Sequence, residues 1–128
     1  MNIQIFGTKK CNNTKKAERF FKERNIQIHF RDLAEKGVSP GELENILQKI
    51  SEEELIDTDS KQYEKRGLKF MVFNIKDELL SDPLLFKTPI VRNGKEVTVG
   101  YEPEIWKEWI KKNCKIAKLK DDLLLNFF

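Results

Sequence analysis

The chain has 128 residues, of which 39% are hydrophobic and 35% charged, and its formal net charge is +3. A chain of this length forms one domain whose core needs no disulfides. Interspersed acids and bases argue against direct nucleic-acid binding, two cysteines predict no disulfide framework, and no apolar run is long enough to span a membrane.

The first predicted elements frame a candidate reactive thiol. A strand-like alternation runs from Asn2 to Phe6, and an amphipathic helix is predicted from Thr14 to Arg24. Cys11 lies between them, where unpaired N–H groups and the positive end of the helix dipole favour the thiolate. The flanking lysines, which favour it further, are Lys9, Lys10, Lys15 and Lys16. Cys11 is therefore the candidate nucleophile. The alternative is an inert cysteine that packs as a small apolar residue.

A second strand is predicted directly after this helix, from Ile26 to Arg31, with its apolar residues on one face. Strand, helix and strand within about thirty residues predict a βαβ unit with parallel strands and a right-handed crossover. His29 lies on the opposite face of the second strand. It is the only histidine, so we interpret it as a half-exposed side chain and predict no metal site.

Helix signals dominate the middle of the chain. Ser39 and Glu42 form a capping-box pattern that begins one helix. Ser51 precedes three glutamates and predicts the start of a second, short helix. These helices open an inserted helical segment of about residues 38–86.

The second half of this segment leaves one alternative open. Residues 57–69 are polar and predict either a loop or a weakly held helix. Arg66 lies there, and it either reaches a site or is solvated. A further helix is predicted over residues 74–85, interrupted near Asp82-Pro83.

A hairpin follows the helical segment. Asn93-Gly94 between two β-branched runs predicts a tight turn that joins strands 90–92 and 97–99. Pro89 precedes the first of these strands, at a position where proline marks a strand start.

The last predicted helix covers residues 102–113. Its apolar residues, which we expect to pack on the sheet, are Ile105, Trp106, Trp109 and Ile110. Cys114 follows at the helix C-terminus, where Lys111 and Lys112 favour a thiolate and the dipole opposes it. Because these two effects roughly offset, we expect Cys114 to react more slowly than Cys11. The tail, residues 114–128, ends in an apolar run and predicts a helix docked on the domain or on a partner.

The order of these elements is that of an α/β, thioredoxin-like mixed sheet with an inserted helical segment, in a domain of residues 1–113. Four motifs resemble the ArsC/Spx family over residues 2–113: Ile5-Phe6-Gly7-Thr8 before Cys11, Lys16-Ala17, Thr88-Pro89-Ile90-Val91-Arg92, and Gly100-Tyr101-x-Pro103-Glu104. That family contains glutaredoxin-dependent arsenate reductases, relatives of the YffB type and Spx transcription regulators.

The resemblance implies roles for particular residues. Cys11 matches the nucleophilic cysteine of the family, and Thr88-Pro89 matches a segment in which thioredoxin-like folds place a cis-proline facing the thiol. The candidate substrate or anion-binding residues are Lys9, Lys10, Thr14, Arg66, Thr88, Pro89 and Arg92.

The chain departs from the family pattern at three places. The arginine that precedes the proline in well-studied ArsC enzymes is Thr88 here, and another of their arginines falls near Tyr101 and Glu102. Fixed arginines are the best donors to an oxyanion, so we predict weak or absent arsenate reduction. Spx redox switches carry Cys-x-x-Cys, whereas this chain has Thr14 in place of the second cysteine of that motif. An external thiol must therefore resolve any adduct that Cys11 forms.

Three hypotheses follow. The first is a thiol-dependent reductase, in which Cys11 forms an adduct with a small oxyanion or an oxidised thiol. Glutathione, another small thiol or glutaredoxin then resolves the adduct, and no cofactor is tightly bound. The second is a Spx-like regulator that binds RNA polymerase without turnover, and the third is a folded domain whose thiol has no function. Because no leader-like segment opens the sequence, we expect a cytoplasmic protein with no membrane association.

Overall fold

The computed structural model, which describes residues 2–112, contains a mixed sheet with strand order β2-β1-β3-β4. β1 (Ile3–Gly7) is parallel to β2 (Ile28–Asp32) and antiparallel to β3 (Ile90–Asn93). β3 pairs with β4 (Glu96–Val99) through the predicted tight turn. The thioredoxin-like α/β class predicted from the sequence is confirmed, and β1 and β3 form the centre of the sheet.

The predicted βαβ unit is also confirmed. α1 (Asn12–Lys22) connects β1 to β2, and it begins two residues earlier than predicted because Cys11 is its N-cap. The buried face of α1 carries Thr14, Ala17, Phe20 and Phe21. Phe20 and Phe21 therefore belong to the core, as the apolar stripe indicates.

The segment between β2 and β3 is mainly helical. It contains α2 (Pro40–Leu47), α3 (Glu52–Leu55), α4 (Lys61–Lys65) and α5 (Ile75–Ser81), with 3₁₀ turns at Leu68–Phe70 and Pro83–Leu85. Ser39 and Glu42 form the predicted capping box on α2. Ser51 precedes α3, but its side chain makes no cap hydrogen bond. Of the two structures predicted for the polar stretch 57–69, the short helix is the one observed, since this stretch contains α4.

The last helix, α6, begins at residue 103 and is described as far as residue 112. Trp106 and Trp109 are buried as predicted, whereas Ile105 is 42% exposed and the prediction that it packs on the sheet is wrong. Ile105 lies roughly 90° around the helix from the centre of the stripe formed by its neighbours. The tail 114–128, including Cys114, lies outside the described residues. Among the helices of residues 2–112, none is long and apolar enough to cross a bilayer.

The two faces of the sheet bury different helices. On one face, Ile3, Ile5 and Val91 pack with α1 and α6. On the other face, Phe6 and Ile90 pack with the helical segment between β2 and β3. The sheet is therefore buried on both sides, which holds the ends of β1 and β3 in fixed positions.

Trp106 is the largest fully buried side chain. Its ring contacts the rings of Phe20, Phe21 and Tyr101, with centroids 5.3 to 5.6 Å apart. The indole Nε1–H donates to Thr98 Oγ1 at 2.8 Å, and both side chains are buried. This hydrogen bond satisfies the one polar atom of the indole inside the core.

The hydrogen bond from Trp106 to Thr98 yields a stability prediction. Replacing Thr98 by Val leaves the buried indole N–H without its acceptor, so Thr98→Val should lower the free energy of unfolding by about 1–3 kcal/mol. Urea denaturation measures the change as a lower midpoint with an unchanged slope. Thr98→Ser keeps the acceptor and is the matched control. Equal stability of the Val and Ser variants would contradict the assignment.

Candidate functional site

Cys11 occupies the position at which β1 has ended and α1 begins. Its backbone is extended, with φ −80° and ψ 118°, and its N–H donates to the Thr8 carbonyl at 3.2 Å. Its side chain is partly exposed and forms no disulfide within residues 2–112. The predicted first turn therefore holds the thiol at a helix N-terminus, accessible from solvent.

The thiol faces the segment before β3. The Thr88–Pro89 peptide bond is cis, as the resemblance predicts. The Cys11 Sγ–H donates a long hydrogen bond to the Thr88 carbonyl, with 3.8 Å between sulfur and oxygen. The N–H of Gly100 donates to the Pro89 carbonyl at 2.8 Å and ties this segment to the end of β4. Three parts of the chain that are distant in sequence thus meet at one thiol.

The surroundings of Cys11 favour its thiolate. Burial raises the pKa of the thiol, but nearby donors lower it more, and the pKa lies below its ordinary value. These donors are the side-chain hydroxyls of Thr14 and Thr88 and the backbone N–H groups of Thr14 and Asn13. The thiol makes no cap hydrogen bond while protonated. Once deprotonated, the sulfur becomes the acceptor that the first turn of α1 lacks.

The lysines predicted to stabilise the thiolate are placed differently. Lys9 and Lys10 are exposed in the turn before Cys11. Lys16 extends away along α1, with its ammonium 5.6 Å from the centroid of the Tyr101 ring. The causes that lower the pKa of Cys11 are hydroxyl and N–H donors, and the lysines add positive charge to the surroundings of the site.

Thr14 is held against the end of β1 by a close packing contact. It is 1% exposed, and its Oγ1 has no formed hydrogen bond within residues 2–112. A Cβ atom on Gly7 would lie 2.5 Å from both Thr14 Oγ1 and Thr14 Cγ2. Glycine at position 7 therefore leaves the room that Thr14 occupies beside the thiol. The sequence analysis included Thr14 among the site residues but not Gly7, for which a glycine at the end of a buried strand is the available signal.

Arg66 is engaged elsewhere. Its guanidinium pairs with Glu78 and with Asp82, the latter at 3.2 Å. Gln62 also donates to Asp82, so the cluster ties α4 to α5. The sequence left open whether Arg66 reaches a site or is solvated, and the structure shows neither. Arg66 belongs to an ion-pair network that connects two helices.

Arg92 lies towards the other end of the central strands. It is paired in register with Gln4 and donates to Gln4 Oε1 at 3.3 Å. Pro89 lies three positions before Arg92, which corresponds to roughly 10 Å of extended chain. The structure therefore brings together Cys11, Thr14, Thr88 and Pro89, and it leaves Arg66 and Arg92 outside this group.

An acidic groove of about 470 Å³ adjoins the cis-proline segment. Its carboxylates are those of Glu53, Glu54, Asp57, Asp59 and Glu102. Lys87, next to Thr88, is the one basic residue that lines it. The groove is net negative, so it repels an arriving oxyanion. Within residues 2–112, no group of three His, Cys, Asp or Glu side chains is placed to hold a metal ion.

Comparison with known proteins agrees with this geometry. The sequence model of the ArsC family matches residues 6–109. The chain is 28% identical to the global transcriptional regulator Spx 2 of Oceanobacillus iheyensis over 120 residues, which cover 90% of this chain and 88% of that protein. It is 25% identical to YusI of Bacillus subtilis, covering 84% of this chain and 98% of YusI.

A solved structure shows the same fold. The arsenate reductase of Vibrio cholerae superposes with a TM-score of 0.72 at 18% identity. The superposition covers 84% of this chain and 97% of that enzyme. The likeness in fold therefore extends over nearly the whole length of that enzyme.

The donors around Cys11 predict its reactivity. A short pulse of iodoacetamide at neutral pH should label Cys11 before Cys114, and Cys11→Ser should remove the fast phase.

Thr14→Val keeps the packing volume but removes the hydroxyl, so it should raise the pKa of Cys11. At a pH below that pKa, the alkylation of Cys11 should be several-fold slower than in the wild type.

Mass-spectrometric mapping and a pH profile of the alkylation rate measure both effects. Thr14→Ser retains the hydroxyl and should leave the profile near that of the wild type. Faster labelling of Cys114, or identical profiles for the Val and Ser variants, would contradict the role given to these donors.

Proposed function

Because the chain belongs to the ArsC family, we propose that it is a thiol-dependent reductase whose nucleophile is Cys11. The observation that carries this proposal is the lowered pKa of a partly exposed thiol at the start of α1, facing a cis-proline segment. A thiolate is the nucleophile in thiol–disulfide chemistry. A cysteine without function needs neither the access nor the donors.

The proposed reaction is thiol–disulfide exchange. The Cys11 thiolate attacks one sulfur of an oxidised substrate, so a mixed disulfide with Cys11 forms while the substrate S–S bond breaks. The other substrate sulfur leaves with the electron pair as a thiolate. The hydroxyls of Thr14 and Thr88 and the N–H groups of Asn13 and Thr14 stabilise the attacking charge.

The adduct is resolved from outside the chain. Thr14 occupies the position at which a Cys-x-x-Cys protein carries its second thiol. An external thiolate therefore attacks the mixed disulfide and displaces Cys11 as a thiolate, and a second external thiol completes the reduction. Glutathione, bacillithiol or a glutaredoxin supplies these two electrons. Cys11 is the better leaving group because its pKa is lowered.

An oxidised thiol fits the site better than an oxyanion. Thr88 and Glu102 replace cations of the family pattern, Arg66 is bound by two carboxylates, and the neighbouring groove is acidic. A disulfide carries no charge at its reacting atoms, so attack on it needs no arginine beside the thiol. The site thus supports nucleophilic attack without a cradle for arsenate.

Turnover of a small disulfide tests the proposal. With glutathione, glutathione reductase and NADPH, the protein should reduce hydroxyethyl disulfide, and Cys11→Ser should abolish the protein-dependent rate. Omission of the external thiol should leave a Cys11 adduct detectable by intact mass. A Cys11→Ser variant that keeps the wild-type rate would overturn the proposal.

Arsenate is expected to be a poor substrate. Repulsion by the acidic groove, together with Thr88 and Glu102 where the family pattern has arginine, should hold glutaredoxin-coupled arsenate reduction about tenfold or more below that of the Vibrio cholerae enzyme assayed in parallel. Oxidation of NADPH measures both rates. Comparable rates would show that other donors in this chain suffice for oxyanion binding.

A second candidate is a regulator that binds RNA polymerase without turnover. It is favoured by the match to proteins named Spx, because the aligned regions cover 88% to 95% of the length of those proteins. A pull-down with purified bacterial RNA polymerase, set beside the disulfide assay, separates the two candidates. Stoichiometric capture together with no turnover would favour the regulator, and turnover without capture would favour the reductase.

A further inference from the structure

A basic groove runs along α1, starting close to the proposed reactive thiol. It has a volume of about 410 Å³ and lies between α1 and the start of α6. Four cationic side chains line it: Lys16, Arg19, Arg24 and Lys107. Glu23 is the one acid that lines it, so the groove is net positive.

The groove is connected to the site through the residues that follow β4. Tyr101, which lines the groove, directly follows Gly100, and the Gly100 N–H is bonded to the Pro89 carbonyl. Lys16 lies five residues after Cys11 on α1, roughly 7.5 Å along the helix axis. Measured along the axis of α1, the groove therefore begins about one and a half helical turns after Cys11.

The spacing of the cations suits a chain and not a small anion. From Lys16 to Arg24 the groove extends roughly 12 Å along the helix axis, and two of its cations lie against aromatic rings. Lys16 lies against Tyr101, and the Arg24 guanidinium lies 3.8 Å from the centroid of the Phe20 ring. A single oxyanion is held best by donors that converge on one point, whereas cations that follow one another along a helix suit a chain that carries several carboxylates.

The reach from the thiol excludes a tripeptide as the occupant of the whole groove. Cys11 and Arg24 are thirteen residues apart, or roughly 20 Å along α1 and its continuation. An extended peptide rises about 3.3 Å per residue, so about six residues are needed to extend from a disulfide at Cys11 to Arg24. Glutathione is too short, whereas a segment of a protein is long enough.

The composition of the groove also matches a protein interface. Tyr101 is 41% exposed, and its ring is held by contacts with Trp106 and Lys16. Tyrosine and arginine are both enriched at interfaces, tyrosine because its rigid ring provides a large contact area at a low cost in conformational entropy. Lys107 pairs with Glu104 at 3.3 Å on an exposed surface, a pair that contributes little and that an incoming carboxylate can displace.

We infer that this groove docks an acidic segment of a partner protein whose oxidised cysteine is the substrate of Cys11. The inference rests on the proposed function, because it names the substrate class of that same thiol. The partner segment lies along α1 with its carboxylates against Arg19, Arg24 and Lys107. The neighbouring acidic groove repels such a segment, so the pair of grooves also sets its direction of approach.

Exchange with charged peptides tests the inference. Three peptides of about twelve residues carry a central cysteine activated as a mixed disulfide with thionitrobenzoate. Acidic residues flank the cysteine in the first, lysines replace them in the second and serines in the third. The Cys11 thiolate attacks the peptide sulfur, the peptide–Cys11 disulfide forms, and thionitrobenzoate leaves with the electron pair. Its release gives the second-order rate for the full-length protein.

The acidic peptide should react about tenfold faster than the lysine peptide at low salt. This ratio should shrink towards one at about 1 M salt, where screening acts over roughly 3 Å. The double variant Arg19→Glu with Lys107→Glu should lower the ratio several-fold. Lys49→Glu with Lys95→Glu makes the same change in net charge on exposed residues of another groove, and it should leave the ratio near the wild-type value.

The outcomes separate the two proposals. If no peptide reacts faster with the wild type than with Cys11→Ser, the proposed function and this inference both fail. If all three peptides react at similar rates through Cys11, the reductase stands and the docking surface is overturned. A faster lysine peptide, or an equal effect of the two double variants, would also overturn it, because the acidic groove or the net charge would then govern the encounter.

Discussion

The candidate site depends on one contact, between the first turn of α1 and the cis-proline segment before β3. The two partners of that contact, Cys11 and Thr88, are 77 residues apart in the chain. The antiparallel pairing of β1 with β3 brings them together, since Phe6 lies opposite Ile90. The turn that holds Cys11 follows β1, and the cis-proline segment directly precedes β3. Because helices cover both faces of the sheet, the contact is held by the whole core and not by the turn alone.

The environment of the thiol is built from neutral donors. Two threonine hydroxyls and two N–H groups lower the pKa of Cys11 and outweigh the opposing effect of burial. Such donors stabilise a thiolate but cannot balance the multiple charges of an oxyanion. The proposed function fits this distinction, because attack on an oxidised thiol needs no arginine beside the cysteine.

Charge is arranged on either side of the site. Tyr101 lines a basic groove, and Glu102, the next residue, lines an acidic one. Both belong to the connection between β4 and α6, which the Gly100–Pro89 hydrogen bond fastens to the cis-proline segment. A partner that approaches Cys11 therefore meets opposite potentials on its two sides. Such an arrangement orients the encounter more than it adds affinity.

The sequence by itself determined the elements and the position of the thiol. The alternation of β1, the stripe of α1, the capping box at Ser39 and the Asn93-Gly94 turn each depend on residues close in sequence, so local patterns suffice to predict them. Cys11 could be identified for the same reason, because its placement between a strand and a helix is a local property. Motifs likewise sufficed to indicate the cis-proline.

Only the tertiary structure decided which polar side chains serve the site. Arg66 is paired with Glu78 and Asp82, and Arg92 lies with Gln4 at the far end of the central strands. The acidic groove combines residues from α3, the cis-proline segment and the end of β4. Long side chains take partners from whatever element packs beside them, and that neighbour is set by the register and layering of the sheet. Spacing along the chain does not identify those partners. The position of the thiol could therefore be predicted from the sequence, whereas the charged groups around it could not.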